Sequence, residues 1–149
     1  MARIMGLDLG SRTCGNALSD PLGIIAQGLE TYRFPDDAYK RCAKYVRFLA
    51  REHQVDTIVL GLPKHMNGDL GERAQITIAF KEMLENMMGD VKIILEDERL
   101  STVVAETNLL MADVSRKKRK QVIDKMAAVT ILQGYLDRVK YVKIWKKMF

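Results

Sequence analysis

The segment RIMGLDLG, residues 3–10, restricts the possible fold strongly, because its two faces differ in chemistry. In an extended strand the residues Met5, Leu7 and Leu9 point to one side. Asp8 points to the other side, with a glycine two positions away in each direction. An isolated buried charge is costly, so the Asp8 carboxylate must meet solvent, a cation or a hydrogen-bond donor. The plainer alternative is an aspartate that caps the next turn, although Asp8 lies inside the apolar run.

The remaining pattern predicts an α/β fold in the element order β-β-β-α-β-α-β-α-α, with an antiparallel start and parallel crossovers. The chain up to Arg33 indicates strands with a hairpin turn at DPLG, and later strands are predicted at DTIVLGLP and VKIILEDE. Helical periodicity predicts helices at DDAYKRCAKYVRFLAREH and ERAQITIAFKEMLENMM, from Ser101 or Thr102 to about Ala112, and from about Lys117 to Val139.

A chain of 149 residues is long enough for one compact domain with its own core. We therefore predict a single domain over residues 1–149, with a basic C-terminal tail from about residue 139. Cys14 and Cys42 lack the spacing of metal ligands or of a redox pair, which is typical of free thiols in a reducing compartment. No apolar run reaches the ~18 residues of a membrane span and no leader-like segment opens the chain, so we expect a cytoplasmic protein.

The net charge of +5 is concentrated in two short segments. SRKKRK, residues 115–120, holds five consecutive cations, and RVKYVKIWKK, residues 138–147, holds five more. Clustered cations attract phosphate backbones through counterion release, so a nucleic-acid partner is predicted. The alternative for each segment is a solvated face or a flexible tail.

Two further groups of acids stand where ligands usually bind. Glu96, Asp97 and Glu98 end the last predicted strand in LEDERLST, and open α/β sheets bind ligands at the carboxyl ends of parallel strands. Asp124 begins a helical stripe that is otherwise apolar and continues through Ala127, Ala128, Ile131 and Leu132. The plainer alternatives are a generic acidic strand end and an aspartate favoured by the dipole of a helix start.

The carboxylates of Asp8, Glu98 (or Asp97) and Asp124 come from distant segments and are predicted to converge. Like charges crowded together raise one another's pKa unless a cation compensates, and oxygen ligands select hard ions, so we expect Mg²⁺ or Mn²⁺. Two such ions ~3.5–4 Å apart clamp a scissile phosphate, activate water and stabilise the leaving oxygen. The acids therefore predict a metal-dependent phosphodiester hydrolase.

Four blocks of sequence together resemble the YqgF/RuvX family of bacterial Holliday-junction-resolvase-like proteins: GLDLGSRTCGNALSD, VLGLPKHMNGDLGERA, DERLST and IDKMAAVTILQGYLD. They occur in the family's order and span nearly the whole chain. The resemblance implies an RNase H-like fold, with a five-stranded mixed sheet, its first three strands antiparallel, and helices on both faces. It also implies two proposed activities, which are nuclease maturation of the 5′ end of the small-subunit ribosomal RNA precursor and resolution of four-way DNA junctions.

By resemblance, Asp8 corresponds to the family's first-strand acid, Asp97 or Glu98 to its DER block, and Asp124 to its last-helix acid. These four are the predicted catalytic residues, with Asp8, Glu98 and Asp124 as the metal ligands. The fourth strand ends in VLGLP without an acid, which departs from many RNase H-like nucleases. The second carboxylate must therefore come from the next strand.

Basic and amide side chains near these acids are the predicted nucleic-acid contacts. The loop from Gly61 to Gly71 follows a parallel strand, and its glycines allow backbone amides to approach phosphate closely. The alternatives are a plain helix-entry loop and arginines that pair with the acids. The predicted contacts are Arg12, Lys64, Asn67, Arg73, Arg99, Lys117, Lys118 and Arg119.

The leading prediction is a metal-dependent endonuclease that processes the 5′ end of pre-16S ribosomal RNA, as a monomer or a homodimer. A Holliday junction resolvase that cuts four-way DNA is the first alternative, and a non-catalytic nucleic-acid-binding factor is the second. DLGSRT also resembles the phosphate loop of sugar-kinase and actin-like ATPases, but those enzymes enclose ATP with a duplicated domain that 149 residues do not provide.

Overall fold

The computed structural model describes residues 2–64, 68–97 and 116–149, and over 116–125 it describes the backbone alone. The helix predicted from Ser101 or Thr102 to Ala112 lies outside these residues. Within them the chain forms β1 (Arg3–Leu9), β2 (Thr13–Ser19), β3 (Ala26–Arg33), α1 (Tyr39–Glu52), β4 (Val55–Leu62), α2 (Glu72–Met87), β5 (Lys92–Asp97) and α3 (Arg116–Met148).

The strands form one five-stranded mixed sheet in the order β3-β2-β1-β4-β5. β1 pairs antiparallel with β2, and β2 pairs antiparallel with β3, whereas β4 runs parallel to both β1 and β5. β1 is therefore the central strand, and the apolar, β-branched run of β4 lies buried beside it. The sheet confirms the predicted α/β class with its antiparallel start and parallel crossovers.

The alternation in β1 separates two hydrophobic cores, one on each face of the sheet. Met5, Leu7 and Leu9 are buried together with apolar residues of α1 and α2, among them Cys42, Val46, Phe80 and Leu84. The opposite face is covered by α3, which buries Ala128, Ile131, Leu132 and Leu136 against Ala17 and Val59. Helices therefore cover both faces, as predicted.

β1 and α3 approach each other closely at Gly6. A Cβ atom at this position would lie 2.7 Å from the Cβ atom of Leu132 and 2.9 Å from the carbonyl oxygen of Ala128. Close-packed atoms do not tolerate such distances, so only glycine lets the helix lie this near the strand. Gly6 and the small residues of α3 together determine where the helix rests on the sheet.

The turn between β2 and β3 is held by the side chain of Asp20. Its Oδ1 atom accepts hydrogen bonds from the backbone N–H groups of Ile24 at 2.7 Å and Ile25 at 2.9 Å. The hydrogen bond from the Ile25 N–H, and to a smaller extent that from Ile24, lowers the pKa of Asp20. Gly23 has a φ of 70°, which glycine adopts without a steric cost. The hairpin predicted at DPLG is confirmed, and it exposes Leu22 to solvent.

The predicted end of the last helix at Val139 is wrong, because α3 continues from Arg116 to Met148. No glycine or proline follows Gly134 to stop the helix, and lysines near a helix C-terminus interact favourably with its dipole. The segment predicted as a basic tail is thus a helical extension. Neither α3 nor any other described helix is apolar over a length that crosses a membrane.

Candidate active site

Asp8 lies half-buried near the carboxyl end of the central strand, with glycines on both neighbouring strands. Its partner on β2 is Gly15, and on β4 Gly61 follows Leu60, the partner of Leu7. Side chains of laterally paired residues share one face of a sheet, so neither neighbour places a side chain over the carboxylate. The positions of Gly15 and Gly61 beside the acid follow from strand pairing, which periodicity in the sequence does not specify.

α3 crosses the same face of the sheet as Asp8 and runs in the direction opposite to β1. Ile4 lines one groove with Leu136 of the helix, whereas Gly6, two residues further along β1, meets Ala128. Advancing along the strand therefore means moving toward the N-terminal turns of α3. This direction decides which part of the helix lies nearest to Asp8.

Position 124 of α3 stands at the end of the sheet that carries Asp8. Asp8 shares its face with Gly6, since the two are separated by one full strand period. Position 124 precedes Ala128 by one helical turn on the same side of the helix. The backbone thus brings the first-strand acid and the last-helix position to one end of one face.

Glu96 and Asp97 point to opposite faces of β5. Asp97 has the same parity as Ile93 and Leu95, which pack in the core beneath α1 and α2. Glu96 points to the other face, where it pairs with Arg138 of α3. Of the two acids, only Glu96 shares the sheet face of Asp8.

The Glu96–Arg138 pair ties α3 to the edge strand. Both terminal nitrogens of the guanidinium donate hydrogen bonds to the two carboxylate oxygens, one to each. The Glu96 side chain is 11% exposed and that of Arg138 is 61% exposed, so the carboxylate is the buried partner. The hydrogen bond that Arg138 donates to Glu96 raises the pKa of Arg138. This bidentate pair assigns Glu96 a structural contact with α3.

Asp97 ends β5 beside Lys64, which follows β4. The Lys64 Nζ atom lies 4.0 Å from Oδ2 of Asp97, and both side chains are about one-third exposed. β4 separates β1 from β5, so the backbones of Asp8 and Asp97 are about 10 Å apart across two strand spacings. The partly exposed Lys64–Asp97 pair contributes little to stability. Its main effect is to place the Lys64 ammonium group at the carboxyl end of the sheet.

Arg12 contributes a second cation at this end. It lies in the turn between β1 and β2, and its side chain is 73% exposed. Its Nε atom lies 3.7 Å from Oδ1 of Asp36, an exposed acid before α1. Arg12 and Lys64 therefore follow the carboxyl ends of the adjacent strands β1 and β4, on which Asp8 and Gly61 lie.

Arg73 is half-buried and makes two hydrogen bonds. From the first turn of α2 it donates one bond to the carbonyl oxygen of Leu9 at 3.1 Å and another to the hydroxyl of Tyr39 at 3.0 Å. Leu9 directly follows Asp8, so the arginine braces the strand next to the acid. Sequence periodicity did not reveal this contact, because it joins residues 64 positions apart.

For the RNA endonuclease that the sequence predicts, Arg73→Gln is expected to reduce the cleavage rate about tenfold while leaving RNA affinity nearly unchanged. The shorter side chain loses the bond that holds the Leu9 carbonyl, and misplacement of a reacting group by ~1 Å costs up to ~100-fold. Arg73→Lys keeps the positive charge but not the two-pronged geometry, so it should resemble Arg73→Gln. Single-turnover rates and RNA dissociation constants measure the two effects separately. A weaker affinity that lysine restores would instead assign Arg73 to phosphate binding.

The other predicted site residues lie outside the described side chains. Glu98, Asn67 and Arg99 fall outside the described residues, whereas four others lie in the first turns of α3, where the backbone alone is described. Those four are Lys117, Lys118, Arg119 and Asp124. Among the side chains that the structure does describe, no group of three His, Cys, Asp or Glu residues is placed to hold a metal ion.

The family model for RuvX, described as a Holliday junction resolvase, matches residues 2–138. The chain belongs to the RuvX family. This match covers all of β1 to β5 and most of α3, and it ends ten residues before the end of that helix, at Met148. The family assignment suggested by the four sequence blocks is thereby confirmed.

Curated relatives of this RuvX-family chain are similar along nearly their whole length. A protein of Staphylococcus haemolyticus is 49% identical over 138 residues, which is 93% of this chain and 97% of the relative. A protein of a Geobacillus strain is 54% identical over 135 residues, with 91% and 97% covered. Both relatives bear the name "Putative pre-16S rRNA nuclease".

Solved structures of two resolvases share the fold of this family member. RuvC of Thermus thermophilus in complex with a Holliday junction substrate has a TM-score of 0.57 at 13% identity, with 93% of this chain and 96% of RuvC covered. The fowlpox virus resolvase in complex with Holliday junction DNA has a TM-score of 0.58 at 11% identity, with 92% and 98% covered. At such identities the likeness concerns the fold, and it confirms the predicted RNase H-like class.

Proposed function

We propose that this RuvX-family protein is a divalent-metal-dependent endonuclease that processes the 5′ end of pre-16S ribosomal RNA. Relatives that share about half of its residues bear the name "Putative pre-16S rRNA nuclease". The main support within the molecule is Asp8, an acid on the central strand that is flanked by Gly15 and Gly61. Position 124 of α3 lies at the same end of that face, so the fold is suited to a carboxylate site there.

Asp8, Glu98 and Asp124 are the proposed metal ligands and catalytic acids, and Asp97 is the alternative second acid. Carboxylate oxygens are the donors that Mg²⁺ and Mn²⁺ prefer, so the donor set fits such ions. The parity of Asp97 turns it away from the face of Asp8, which favours Glu98. A bound divalent ion supplies a Lewis acid for the scissile phosphate and lowers the pKa of a water molecule.

The basic residues around this end of the sheet are proposed to hold the RNA backbone. Arg12 and Lys64 lie after the carboxyl ends of β1 and β4, at the end of the sheet that carries Asp8. Lysine and arginine neutralise phosphate charge and position the strand without reading its sequence. The further proposed contacts are Asn67, Arg99, Lys117, Lys118 and Arg119, whereas Arg73 is proposed to brace β1 next to Asp8.

A second candidate activity is the cutting of four-way DNA junctions. It is supported by the description of the matching family model as a Holliday junction resolvase. The same acids and cations serve either substrate, because both reactions break a phosphodiester bond. The two candidates therefore differ in substrate shape, which only a comparison of substrates decides.

A cleavage assay with three substrates offered side by side tests the proposal. We expect the purified chain to cut a precursor spanning the 5′ end of 16S ribosomal RNA in the presence of Mg²⁺, faster than single-stranded DNA or a four-way junction. Chelation by EDTA should abolish cutting, and added Mg²⁺ should restore it. Preferred cutting of the junction would support the second candidate. Binding of the RNA without cutting at any Mg²⁺ concentration would contradict both and indicate a non-catalytic binding factor.

A further inference from the structure

A groove lies between the last turns of α3 and the β2–β3 hairpin, at the end of the sheet opposite Asp8. Its volume is about 570 Å³. The floor is formed at the starts of β1 and β4, by residues that include Ile4 and Thr57. One wall is the hairpin turn over residues 21–24, and the other is α3 from Tyr135 to Lys147.

The two walls of this groove differ in chemistry. Leu22 is 69% exposed and Ile24 is 45% exposed on the hairpin wall, which is therefore apolar. Beside apolar residues such as Ile144, the helical wall carries Lys140, Lys143 and Lys147. Their spacing of three and four residues places them on one side of the helix, in a row about 10 Å long. An apolar wall that faces a row of cations suits a ligand with alternating bases and phosphates.

The helical wall has a single sign of charge. Residues 139–149 contain four lysines and no acid. Among the described residues that line the groove, one is an acid, and this is Asp56 at the start of β4. The family model ends at residue 138, so the lysine wall belongs to the part of this chain beyond the family match.

We infer that this groove binds a single-stranded segment of the RNA substrate, away from the scissile phosphate. Lys140, Lys143 and Lys147 contact the phosphates, and the bases lie against Leu22 and Ile24. Proteins bind single strands by this combination of a cationic track with apolar or aromatic surfaces for the bases. The inference rests on the proposed RNA substrate and adds a second contact to it.

The groove is remote from the proposed cutting site. Fifteen helical residues separate Ala128, which lies beside β1, from Lys143, a distance of about 22 Å. A short RNA therefore cannot occupy both places, whereas a longer one can. A comparison of the affinities of short and long RNA therefore tests whether a second contact exists.

RNA fits this groove better than a second copy of the chain or a membrane surface does. A twofold contact between two copies would set one row of lysines against the other, and like charges facing each other are repulsive. A bilayer presents a flat surface, whereas the lysines and the hairpin form the two sides of a concavity. A flexible anionic strand matches both the charge and the shape.

Trp145 is a fluorescent reporter on the helical extension, on the side of α3 that faces away from the groove-lining lysines. It is the one tryptophan in the sequence, it is 57% exposed, and it lies two residues from both Lys143 and Lys147. Its ring contacts Phe149 at a centroid separation of 5.3 Å, on the solvent side of the extension. RNA in the groove brings phosphate charge to the opposite side of the same helix, which is expected to change the emission of Trp145.

The test titrates the full chain with unstructured RNA of about 20 and about 5 nucleotides in EDTA, which prevents cleavage. We expect the longer RNA to change Trp145 emission and to bind more tightly. Lys143→Gln/Lys147→Gln should weaken binding of the longer RNA about tenfold and reduce the slope of log K against log salt by about 1.4. The short RNA can occupy only one of the two places at a time, so it should bind the parent more weakly than the longer RNA does and lose less affinity in the variant.

The control variant is Arg47→Gln/Arg51→Gln, which removes two cations with the same spacing from the surface of α1. It should leave the emission change and the affinity for the longer RNA unaltered. Equal weakening by both variants would overturn the inference, because it would show a general effect of net charge. Emission that responds to protein concentration or to anionic lipid vesicles but not to RNA would overturn it as well, in favour of a second copy or a membrane.

Failure of this inference is distinguishable from failure of the proposed nuclease activity. Cutting of a short precursor RNA with Mg²⁺ by Lys143→Gln/Lys147→Gln, at the rate of the parent, shows that the chemistry does not depend on the groove. RNA binding that both variants leave intact, with normal cutting, overturns the groove alone. Binding in the groove without any cutting supports the groove and contradicts the nuclease.

Discussion

Asp8→Asn is expected to lower RNA cleavage at least ~10²–10³-fold while leaving the fold and RNA binding intact. The amide has the shape of the carboxylate but neither its charge nor its strength as a ligand for a hard cation. Loss of a residue that only supports a metal ligand already costs ~10–100-fold, so loss of a ligand should cost more. The flanking Gly15 and Gly61 leave the site open, and the isosteric change introduces no steric conflict there.

Three measurements on Asp8→Asn separate the catalytic role from a structural one. Cleavage is followed at saturating Mg²⁺, RNA affinity is measured in EDTA, and thermal unfolding reports stability. Affinity should be unchanged or slightly higher, because removal of a negative charge reduces repulsion of phosphate. Asp90→Asn, at an exposed acid in the turn between α2 and β5, serves as the matched control and should cut like the parent. Undiminished cleavage by Asp8→Asn would refute the carboxylate mechanism.

Gly6→Ala is expected to destabilise the protein by about 1–3 kcal/mol and to reduce cleavage strongly. The added Cβ atom would meet the Cβ atom of Leu132 at 2.7 Å and the carbonyl oxygen of Ala128 at 2.9 Å. A backbone oxygen cannot rotate away as the end of a side chain does, so α3 must shift from β1. That shift also separates Asp8, which lies two residues after Gly6 on β1, from position 124, which lies one helical turn before Ala128 on α3.

Gly134→Ala is the matched control for this substitution. Gly134 lies in the same helix, and an added Cβ atom there meets nothing within 4 Å. Alanine in place of glycine within a helix contributes about 0.5–1 kcal/mol of stability, so the control should unfold at a slightly higher temperature. Chemical denaturation gives both free energies of unfolding. Equal stability of Gly6→Ala and the parent would show that α3 does not rest on β1 as described.

The position of α3 on the sheet depends on residues of both the helix and the strands. Gly6 and Asp8 lie two residues apart on β1. The glycine that lets α3 approach the strand and the proposed catalytic acid therefore lie on the same face of the sheet. The Glu96–Arg138 pair links α3 to the edge strand β5. A change at either contact is therefore transmitted to the proposed site through the position of one rigid helix.

Much of the fold was predictable because its signals are local. Periodicity identified β1, the DPLG hairpin, β4, α1 and α2 near their observed bounds, since side-chain alternation and helical spacing are read within one element. The end of α3 was misjudged by nine residues, because the cluster of lysines after Val139 was interpreted as a tail although no glycine or proline stops the helix there. The structure of the acid-bearing segment from Glu98 to Arg99 stays a prediction.

The sequence by itself determined the chemistry of each face: an acid between glycines on β1, an apolar stripe on the last helix, and cations in clusters. Tertiary structure alone decided which of these meet. Strand pairing set Gly15 and Gly61 beside Asp8, the parity of β5 turned Asp97 away from it, and α2 delivered Arg73 to the carbonyl of Leu9. The physical reason is that alternation is a property of neighbouring residues, whereas register and helix placement depend on contacts between residues far apart in the chain.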